Sequence, residues 1–407
     1  MKIKSIKQAK NISEKKILLR VDFNLPLENE KIQDEQKITA TLPTIEYLLE
    51  NSCSIIIITH LGRPEGRKTK KLSTRPLAKR LGQLIGADRR KNKVPYTEKF
   101  NKVKFIRTGR KEKIKEASQA LKPGEILFLE NLRFNPGEEE NNKKFAKELA
   151  GLADVYVNDA FSVCHRKHAS VHSIKKYLPG YAGLLIEKEI QNLEKIKKPK
   201  KPLITIIGGA KIKTKINVIT NLQKKSQKIL LGGALANNFL AAGKLQVGRS
   251  LISKTDIELA EKLKKKIGKE KLILPVDVVV SDRKNGKGEI KVKNIHDLAK
   301  KDIILDIGPK TQRIFSKNIK SAQTIIWNGP LGMFENERFK YGTLGVARVV
   351  AGVSKGKAFG VVGGGETVQA LKQTQMMEYV DWVSTGGGAM LSYLGGEKMP
   401  GLEKLIY

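Results

Sequence analysis

The chain has little cysteine, few aromatic residues and no long hydrophobic run. Only two cysteines occur among its 407 residues, Cys53 and Cys164. Two thiols are too few for a disulfide framework, so a reducing cytoplasm is the expected location. No apolar run approaches the ~20 residues needed to span a bilayer, and residues 1–10 lack the apolar segment of a signal peptide. We therefore expect neither a secreted nor a membrane protein.

Acidic residues are also scarce. The 41 Asp and Glu residues face 78 Lys and Arg residues, which gives a formal net charge of +37. Such a charge attracts polyanions, and both nucleic acids and small phosphorylated metabolites are candidate partners. The lysines, however, lie along the whole chain, in short runs such as 68–71, 197–201 and 264–266. Runs of charged residues usually form solvated surfaces. A nucleic-acid surface would also need exposed aromatics among its cations, so we expect nucleic-acid binding to be weak and non-specific at most.

Three nucleotide-binding signatures are missing. There is no Gly-x-x-x-x-Gly-Lys-Ser/Thr motif, no Gly-x-Gly-x-x-Gly motif after a strand, and no protein-kinase motif set. These absences argue against a P-loop enzyme, a dinucleotide-binding Rossmann site and a protein kinase.

What the chain does contain is a regular alternation of apolar runs and amphipathic segments. The apolar runs, rich in Ile, Val and Leu, predict strands buried on both faces and therefore parallel; they are 17–23, 55–61, 126–129, 155–157, 203–207, 229–231, 272–280, 303–307, 324–327 and 358–362. Segments with helical spacing separate them, among them 42–50, 75–85, 143–152 and 255–267. This rhythm predicts an α/β fold with parallel sheets.

The length and one segment near the middle indicate two domains. A chain of this length favours two domains of about 200 residues each. Residues 184–198 have helical spacing and are followed by a Lys/Pro-rich stretch, which is typical of an interdomain connector. We predict two doubly wound, Rossmann-like parallel-sheet domains, 1–180 and 201–391, joined by a hinge helix within 181–200.

Ligands of open parallel sheets bind at the carboxyl ends of the strands. In the first half arginines and histidines recur at these positions, and a cluster of such cations is suited to phosphate and carboxylate; the positions are Asp22, Asn24, His60, Gly62, Arg63, Asn131, Arg133, Asn158, Asp159, His165 and Arg166. In the second half they are mostly glycines, which let backbone N–H groups approach a nucleotide; the segments are 208–211, 232–234, 328–330, 363–367 and 386–388.

A second interpretation concerns three closely spaced histidines. His165, His168 and His172 would share one face of a helix, with Cys164 beside them, and could hold zinc. Arg166 and its lysine neighbour oppose a cation there, so anion binding by His165 and Arg166 is the preferred interpretation.

These motifs, taken together, resemble the phosphoglycerate kinase family over essentially the whole chain. The matching segments occur in family order; they are 20–24, 60–64, 129–134, 154–161, 208–211 with Lys215, 274–277, 327–330 with Glu335, 363–367 and 384–389. The resemblance implies an amino-terminal domain for 3-phosphoglycerate or 1,3-bisphosphoglycerate and a carboxy-terminal domain for ADP or ATP with Mg²⁺. It also implies a monomer whose final residues, 392–407, pack back on the first domain.

The resemblance further implies roles for individual residues. The expected substrate-binding residues are Asp22, Phe23, Asn24, Lys37, His60, Leu61, Gly62, Arg63, Arg133, His165 and Arg166. The expected nucleotide-binding residues are Gly209, Ala210, Lys211, Lys215, Gly233, Asn328, Glu335, Gly364, Gly365, Glu366 and Thr367. Lys37 and Lys215 are expected to be catalytic, and Glu366 is expected to ligate the magnesium.

The chain departs from the family pattern at two of these positions. Lys37 stands where the family has arginine, and Glu366 stands where it has aspartate. Lysine keeps the charge but lacks the planar donor fork of arginine, and the longer glutamate moves the carboxylate. Both changes keep the sign of the charge, so activity is expected to survive them. An inactive scaffold that binds substrates without turnover is the alternative.

The implied reaction explains why the chain needs cations rather than a general base. Both nucleophiles, the substrate carboxylate and the ADP β-phosphate, are already anionic, so positioning and charge stabilisation must supply the catalysis. Because acyl phosphates hydrolyse readily, we also expect hinge closure to exclude water when both ligands are bound.

Overall fold

The computed structural model describes residues 2–91, 103–107 and 111–407. These residues form two compact units. Unit 1 comprises the described residues up to Ile190 together with Met399–Tyr407, and unit 2 comprises Gln191–Lys398.

Unit 1 is a six-stranded parallel sheet covered by helices. Its strands are β1 (Lys16–Arg20), β4 (Ser54–Ile58), β5 (Val103–Ile106), β6 (Ile126–Leu129), β7 (Val155–Asn158) and β8 (Gly180–Ala182), with a small hairpin of β2 (Leu27–Glu28) and β3 (Lys31–Ile32). Its helices are α1 (Gln36–Glu50), α2 (Arg75–Lys91), α3 (Lys111–Gln119), α4 (Lys143–Ala150) and the start of α5 (Leu184–Lys197). The strand order β5-β6-β4-β1-β7-β8 reverses direction beside β1, which makes the carboxyl end of β1 a topological switch point.

The central strands of unit 1 are buried because helices cover both faces of the sheet. All five residues of β4 are buried, and alternate side chains belong to two hydrophobic clusters on opposite faces. Ile55 and Ile57 pack in one cluster, and Ile56 and Ile58 pack in the other. This arrangement explains why the strand is a continuous apolar run rather than an alternating one.

Unit 2 repeats the same architecture with a second sheet. Its parallel strands are β9 (Leu203–Ile207), β10 (Lys228–Leu231), β11 (Leu272–Ile273), β15 (Thr324–Asn328), β16 (Phe359–Gly363) and β17 (Trp382–Ser384), in the order β11-β10-β9-β15-β16-β17. Its helices are α6 (Ile216–Leu222), α7 (Gly233–Ala241), α8 (Lys254–Ile267), α9 (Pro309–Lys320), α10 (Tyr341–Ser354), α11 (Gly365–Gln373) and α12 (Gly388–Leu394). Here the order reverses between β9 and β15. The two parallel-sheet α/β domains expected from the sequence are confirmed.

One apolar run of unit 2, 303–307, and the second half of another, 272–280, were wrongly assigned to the parallel sheet. The run 272–280 divides at Pro275 into β11 and β12 (Asp277–Ser281), since proline cannot donate to a ladder. β12 pairs antiparallel with β13 (Ile290–Asn294) and with β14 (Ile303–Ile307) in a separate three-stranded sheet. A short apolar run identifies a buried strand but carries no information on the direction of its partner.

The division between the units differs from the predicted boundaries. It falls between Ile190 and Gln191, in the middle of α5, rather than at the two ends of a separate connector. The segment that returns to unit 1 begins at Met399 instead of 392, since 392–398 belong to unit 2. Within the described residues, no helix combines the length and the apolar character needed to cross a membrane.

The returning tail is held to unit 1 by a buried lysine. Lys175 Nζ donates to the carbonyl oxygens of Pro400 and Glu403 at 2.6 and 2.7 Å. Burial lowers the pKa of this ammonium to about 8. Backbone bonds between Lys4 and Leu405 and between Gly401 and Cys164 complete the attachment.

Replacing Lys175 with methionine is expected to loosen the tail. Hydrogen bonds to a charged group contribute about 1.5–3 kcal/mol, so backbone amides in 399–407 should exchange with solvent markedly faster. Hydrogen–deuterium exchange of Lys175→Met beside Lys176→Met measures this, because Lys176 is the exposed neighbour. Equal protection of the tail in both variants would contradict the assignment.

Candidate functional site

The carboxylate of Asp22 is the centre of a polar cluster at the switch point of unit 1. One of its oxygens, Oδ2, accepts from Lys37 Nζ at 2.5 Å and from the hydroxyl of Ser162. The other, Oδ1, accepts from the backbone N–H of Asn24 at 3.1 Å. Burial by itself raises the pKa of Asp22, but the Lys37 ammonium and the hydrogen bonds from Lys37 and Ser162 lower it to well below its ordinary value. Asp22 is therefore a carboxylate that is already partnered by the predicted catalytic lysine.

Lys37 reaches Asp22 because α1 begins earlier than the sequence spacing predicted. The helix starts at Gln36 rather than at 42, which places Lys37 in its first turn. Its ammonium also donates to the carbonyl of Asn24 at 3.3 Å, while the side-chain oxygen of Asn24 accepts from Gly62 N at 2.9 Å. Four predicted substrate-binding residues, Asp22, Asn24, Lys37 and Gly62, thus lie in direct contact.

His60 was counted among the cations of this site, and that interpretation is wrong. Arg20 Nη2 lies 3.2 Å from His60 Nδ1. Arginine can only donate, so Nδ1 must accept and the proton of the neutral ring lies on Nε2. Burial lowers the pKa of His60 well below its ordinary value; Arg20 and Arg133 lower it further, against the opposing effect of Asp22. His60 is a neutral donor rather than a charge.

Sequence reasoning missed a buried arginine, Arg20, that supports this cluster together with its hydrogen-bond partners. Arg20 is 1% exposed, and its Nε donates to Ser170 Oγ at 2.9 Å. Ser170 donates in turn to Glu138, which is fully buried and also accepts from Ser170 N. An arginine as the last residue of a buried strand was the available signal, because a buried charge requires partners.

The three predicted phosphate-binding arginines differ in their surroundings. Arg133 is 3% exposed; its Nη1 donates to Gly62 O at 2.6 Å and its Nε lies 3.2 Å from the Glu139 carboxylate. Its Nη2 has no hydrogen-bond partner among the described residues. Arg63 is exposed, and Arg166 is partly buried with its Nε 3.4 Å from His165 Nε2. Arg133 is thus the buried cation with donor capacity left for an anion.

Phe23 and Leu61 contribute mainly to packing. The Phe23 ring is fully buried, with its centroid 6.2 Å from that of Phe128. The side chain of Leu61 is buried, and both backbone groups of Leu61 bond to the Asn131 amide. Both residues therefore help to hold the backbone of the site in place.

Two other strand-end residues have structural roles. Asn158 Nδ2 donates to Gly401 O at 3.1 Å and so holds the tail. Asp159 Oδ1 accepts from the N–H groups of Leu185 and Ile186 at 2.9 and 3.3 Å, at the start of α5.

The zinc interpretation is not supported, because the histidine segment is not an α-helix. His168 Nδ1 faces Glu138 at 3.9 Å, and His172 Nε2 faces Glu403 at 3.3 Å. Cys164 is buried and contacts Asn158. Within 2–91, 103–107 and 111–407, no group of three or more His, Cys, Asp or Glu side chains could hold a metal.

The second cluster lies at the switch point of unit 2 and centres on Lys215. Its Nζ donates to the carbonyl of Gly208, at the end of β9. A Cβ added to Gly209 or to Gly329 would lie 2.7 or 2.6 Å from this nitrogen, so the ammonium fills the space between the loops that follow β9 and β15. Burial lowers the pKa of Lys215 to about 8, although the nearby Glu366 carboxylate raises it.

The glycine-rich loops after β9 and β15 are hydrogen-bonded to each other. Gly208 N and Gly209 N donate to Asn328 O and Pro330 O at 2.9 and 2.7 Å, so these N–H groups are already used. Gly329 N donates to Thr367 Oγ1 at 2.7 Å, which ties the loop after β15 to helix α11.

The open donors of unit 2 lie at the start of α11. Its first residues, Gly365, Glu366 and Thr367, have N–H groups without intrahelical acceptors, which suit an anion. Gly364 has φ +101°, and a side chain there would meet Asn328 Nδ2 at 2.9 Å. The Asn328 amide also donates to Gly363 O at 2.7 Å.

A cavity of about 260 Å³ is lined in part by Gly209, where an added Cβ would lie 2.7 Å from Lys215 Nζ. Its volume is close to the lower end of small-molecule sites, ~300 Å³. The cavity brings together five of the predicted nucleotide-binding residues, which are Gly209, Ala210, Gly233, Glu335 and Glu366. Glu335 and Glu366 are exposed, as is the nearby Lys211.

The residues present are compatible with magnesium bound through a nucleotide. Mg²⁺ commonly uses one or two carboxylates, water and substrate phosphates rather than a cage made only of protein ligands. Glu366 supplies one exposed carboxylate in the first turn of α11, beside the open N–H groups.

The chain is similar to known proteins over nearly its whole length. A family model described as phosphoglycerate kinase matches residues 6–397. The chain is 41% identical over 397 residues to the phosphoglycerate kinase of Moorella thermoacetica, covering 97% of each chain, and 43% identical over 395 residues to that of Chloroflexus aggregans, covering 96% of each. The solved phosphoglycerate kinase structure from Coxiella burnetii superposes with a TM-score of 0.83 at 35% identity, covering 99% of each chain. That from Pyrococcus horikoshii superposes with a TM-score of 0.81 at 31% identity, covering 98% of each chain.

Proposed function

The chain belongs to the phosphoglycerate kinase family, and on that premise we propose that it transfers a phosphoryl group reversibly between 1,3-bisphosphoglycerate and ADP, giving 3-phosphoglycerate and ATP. The observation that carries the proposal is the pair of switch-point clusters. Unit 1 presents Asp22, Lys37 and Arg133 together, and unit 2 presents Lys215 beside a cavity.

The cluster of unit 1 is proposed to bind the phosphoglycerate. Asp22 and Asn24 would hold the glycerate hydroxyl and carboxylate region. The unused Nη2 of Arg133 and the exposed Arg63 suit the 3-phosphate, with Arg166 nearby in the same role. His60, being neutral, would donate through Nε2 instead of adding charge.

The cluster of unit 2 is proposed to bind the nucleotide. The cavity would take the base, and the exposed Glu335 at its edge would accept from the ribose hydroxyls. Lys211, Lys215 and the first N–H groups of α11 would hold the phosphates. Asn328 and Thr367 would act mainly by fixing the loops that carry these donors.

Catalysis in this proposal depends on fixed charge. The attacking groups are already anionic, so no side chain has to remove a proton. Lys37 and Lys215 would stabilise the charge that develops on the transferring group, and their hydrogen bonds hold both ammonium groups in place before substrate binds. Magnesium, when bound, would neutralise phosphate charge, with Glu366 as its protein ligand.

The proposed partners are small molecules, and the proposed setting is the cytoplasm. Cys53 and Cys164 are buried free thiols, which fits a reducing compartment. The family supports a monomer, and the positive charge supports at most weak, salt-sensitive association with nucleic acid.

A coupled assay of ATP formation from ADP and 1,3-bisphosphoglycerate tests the proposal. Magnesium-dependent turnover would establish the activity. Nucleotide and phosphoglycerate binding without turnover would identify the inactive scaffold instead, and absence of both binding and turnover would reject the proposed function.

The magnesium assignment has its own test in Glu366→Gln. Removing the carboxylate is expected to raise the magnesium concentration for half-maximal velocity by about 10-fold, within the range seen when the surroundings of a metal are altered. Glu378→Gln is the matched control, because this exposed glutamate lies beyond the other end of α11. An unchanged magnesium requirement in Glu366→Gln would contradict the assignment.

A further inference from the structure

The cavity of unit 2 contains a buried side-chain amide that the proposed roles do not use. Asn237 lies on α7, is 1% exposed and lines the cavity together with Leu305, Leu331 and Met333. Neither its Nδ2 nor its Oδ1 has a hydrogen-bond partner among the described residues. A buried amide without partners costs free energy, so its presence on a cavity wall points to a ligand that supplies them.

The neighbouring polar groups differ, since their hydrogen bonds are already made. Asn238, the next residue on α7, accepts from Ser253 N at 3.1 Å and donates to Ala234 O at 3.2 Å. Asp306, also on the cavity wall, accepts from Gly342 N at 2.7 Å and Ile307 N at 2.9 Å. The unused donor and acceptor of Asn237 are therefore a local feature and not a general property of buried amides in this unit.

The chemistry of an amide matches one part of the proposed nucleotide. An amide offers one donor and one acceptor side by side, and adenine presents the complement: the 6-amino group donates, and the adjacent ring nitrogen accepts. Apolar walls on the same cavity suit the faces of a base. The phosphates and ribose are better served by two charged residues, Lys215 next to Gly209 of the cavity wall and the exposed Glu335.

We propose that Asn237 hydrogen-bonds the 6-amino edge of the nucleotide base and so sets the preference of this chain for adenine nucleotides. The inference rests on the proposed function for the location of the nucleotide. It adds a specificity-determining residue, whose amide carbonyl would accept from the 6-amino group while its NH₂ donates to the ring nitrogen.

Direct binding of two nucleotides tests this without any substitution. Isothermal titration calorimetry of the full chain with ADP and with purine riboside 5′-diphosphate, which lacks the 6-amino group, is expected to show about 10-fold tighter binding of ADP. The reason is that the analogue leaves the buried amide carbonyl unpaired. Equal affinities would overturn the proposal.

Two matched variants then assign the preference to a residue. In Asn237→Leu the ratio of the two affinities should fall towards 1, and the thermal midpoint should hold or rise because an unpaired amide has been removed. In Asn238→Leu the midpoint should fall, because two hydrogen bonds are lost, while the ratio stays near 10. A preference for ADP that persists in Asn237→Leu would overturn the proposal.

Failure of the proposed function is separable from failure of this inference. Loss of the base preference is read from binding, whereas the proposed function is read from ATP formation by the wild-type chain. A wild type that discriminates between the nucleotides but forms no ATP would reject the kinase and retain the role of Asn237.

Discussion

Lys215→Met is expected to lower kcat by about 10²–10³-fold, the loss seen when one preorganised donor is removed from a developing negative charge. The ammonium of Lys215 lies between the loops that follow β9 and β15 and is held there by Gly208 O. The methionine keeps the apolar stem but removes the charge, so only the electrostatic role is lost. Because Lys215 as a whole is only 8% exposed and burying a charged ammonium is costly, the variant should unfold at the same temperature or higher.

Lys213→Met is the matched control for this result. Lys213 belongs to the same loop and carries the same charge, but it is exposed. Its replacement should leave kcat within about 2-fold of wild type, as expected for screened surface charges. If both variants lost activity equally, net charge rather than the position of Lys215 would be responsible, and the assigned role would be wrong.

The wild type should show a matching dependence on pH. The pKa of Lys215 in the free protein is lowered to about 8 by burial, and the protonated form is the one that stabilises negative charge. Since kcat/KM reports the ionisation of the free enzyme, it should fall as the pH rises through about 8. In Lys215→Met that decline should be absent.

Lys37→Met is expected to produce the second large loss, about 10²-fold in kcat/KM for 1,3-bisphosphoglycerate. The substitution removes a cation from the site and also leaves the buried Asp22 carboxylate without its closest charge partner, 2.5 Å away. Breaking a buried pair by removing one member is more harmful than losing an exposed one. Lys31→Met, an exposed lysine on β3, is the control that removes the same charge without touching Asp22.

The stability of Lys37→Met should depend on pH in a definite direction. The folded-state pKa of Asp22 is depressed, so its pairing stabilises the wild type above the ordinary aspartate pKa, ~4. That contribution is lost as the pH falls through the depressed value. The deficit of Lys37→Met relative to wild type should therefore be full at neutral pH and shrink below about pH 4, as thermal unfolding would measure.

Lys37→Arg separates charge from geometry at this position. Arginine keeps the charge and adds a planar donor fork, so it should retain activity, and a rate above wild type would show that lysine limits catalysis here. If Lys37→Met kept full activity, the catalytic assignment would fail whatever the arginine variant did.

The amino-acid sequence by itself determined the fold class and the positions in the chain of the two candidate clusters. Runs such as 55–58 and 203–207 are apolar on both faces, and only a sheet covered on both sides accommodates that pattern. The residues that follow β1, β4, β9 and β15 converge because parallel strands end at one edge. The local sequence pattern was sufficient to predict these strands because a strand that is buried on both faces is apolar along its whole length.

Only the tertiary structure decided the pairing of strands and the charge states within the sites. The run 303–307 looks like any other buried strand, yet β14 pairs antiparallel, because pairing direction depends on a distant partner. The neutral state of His60 follows from its burial and from the neighbouring Arg20, and the unpaired amide of Asn237 follows from what surrounds it in the fold. Burial and hydrogen bonding are set by groups far apart in the chain, so a residue type in the sequence fixes neither its protonation nor its partners.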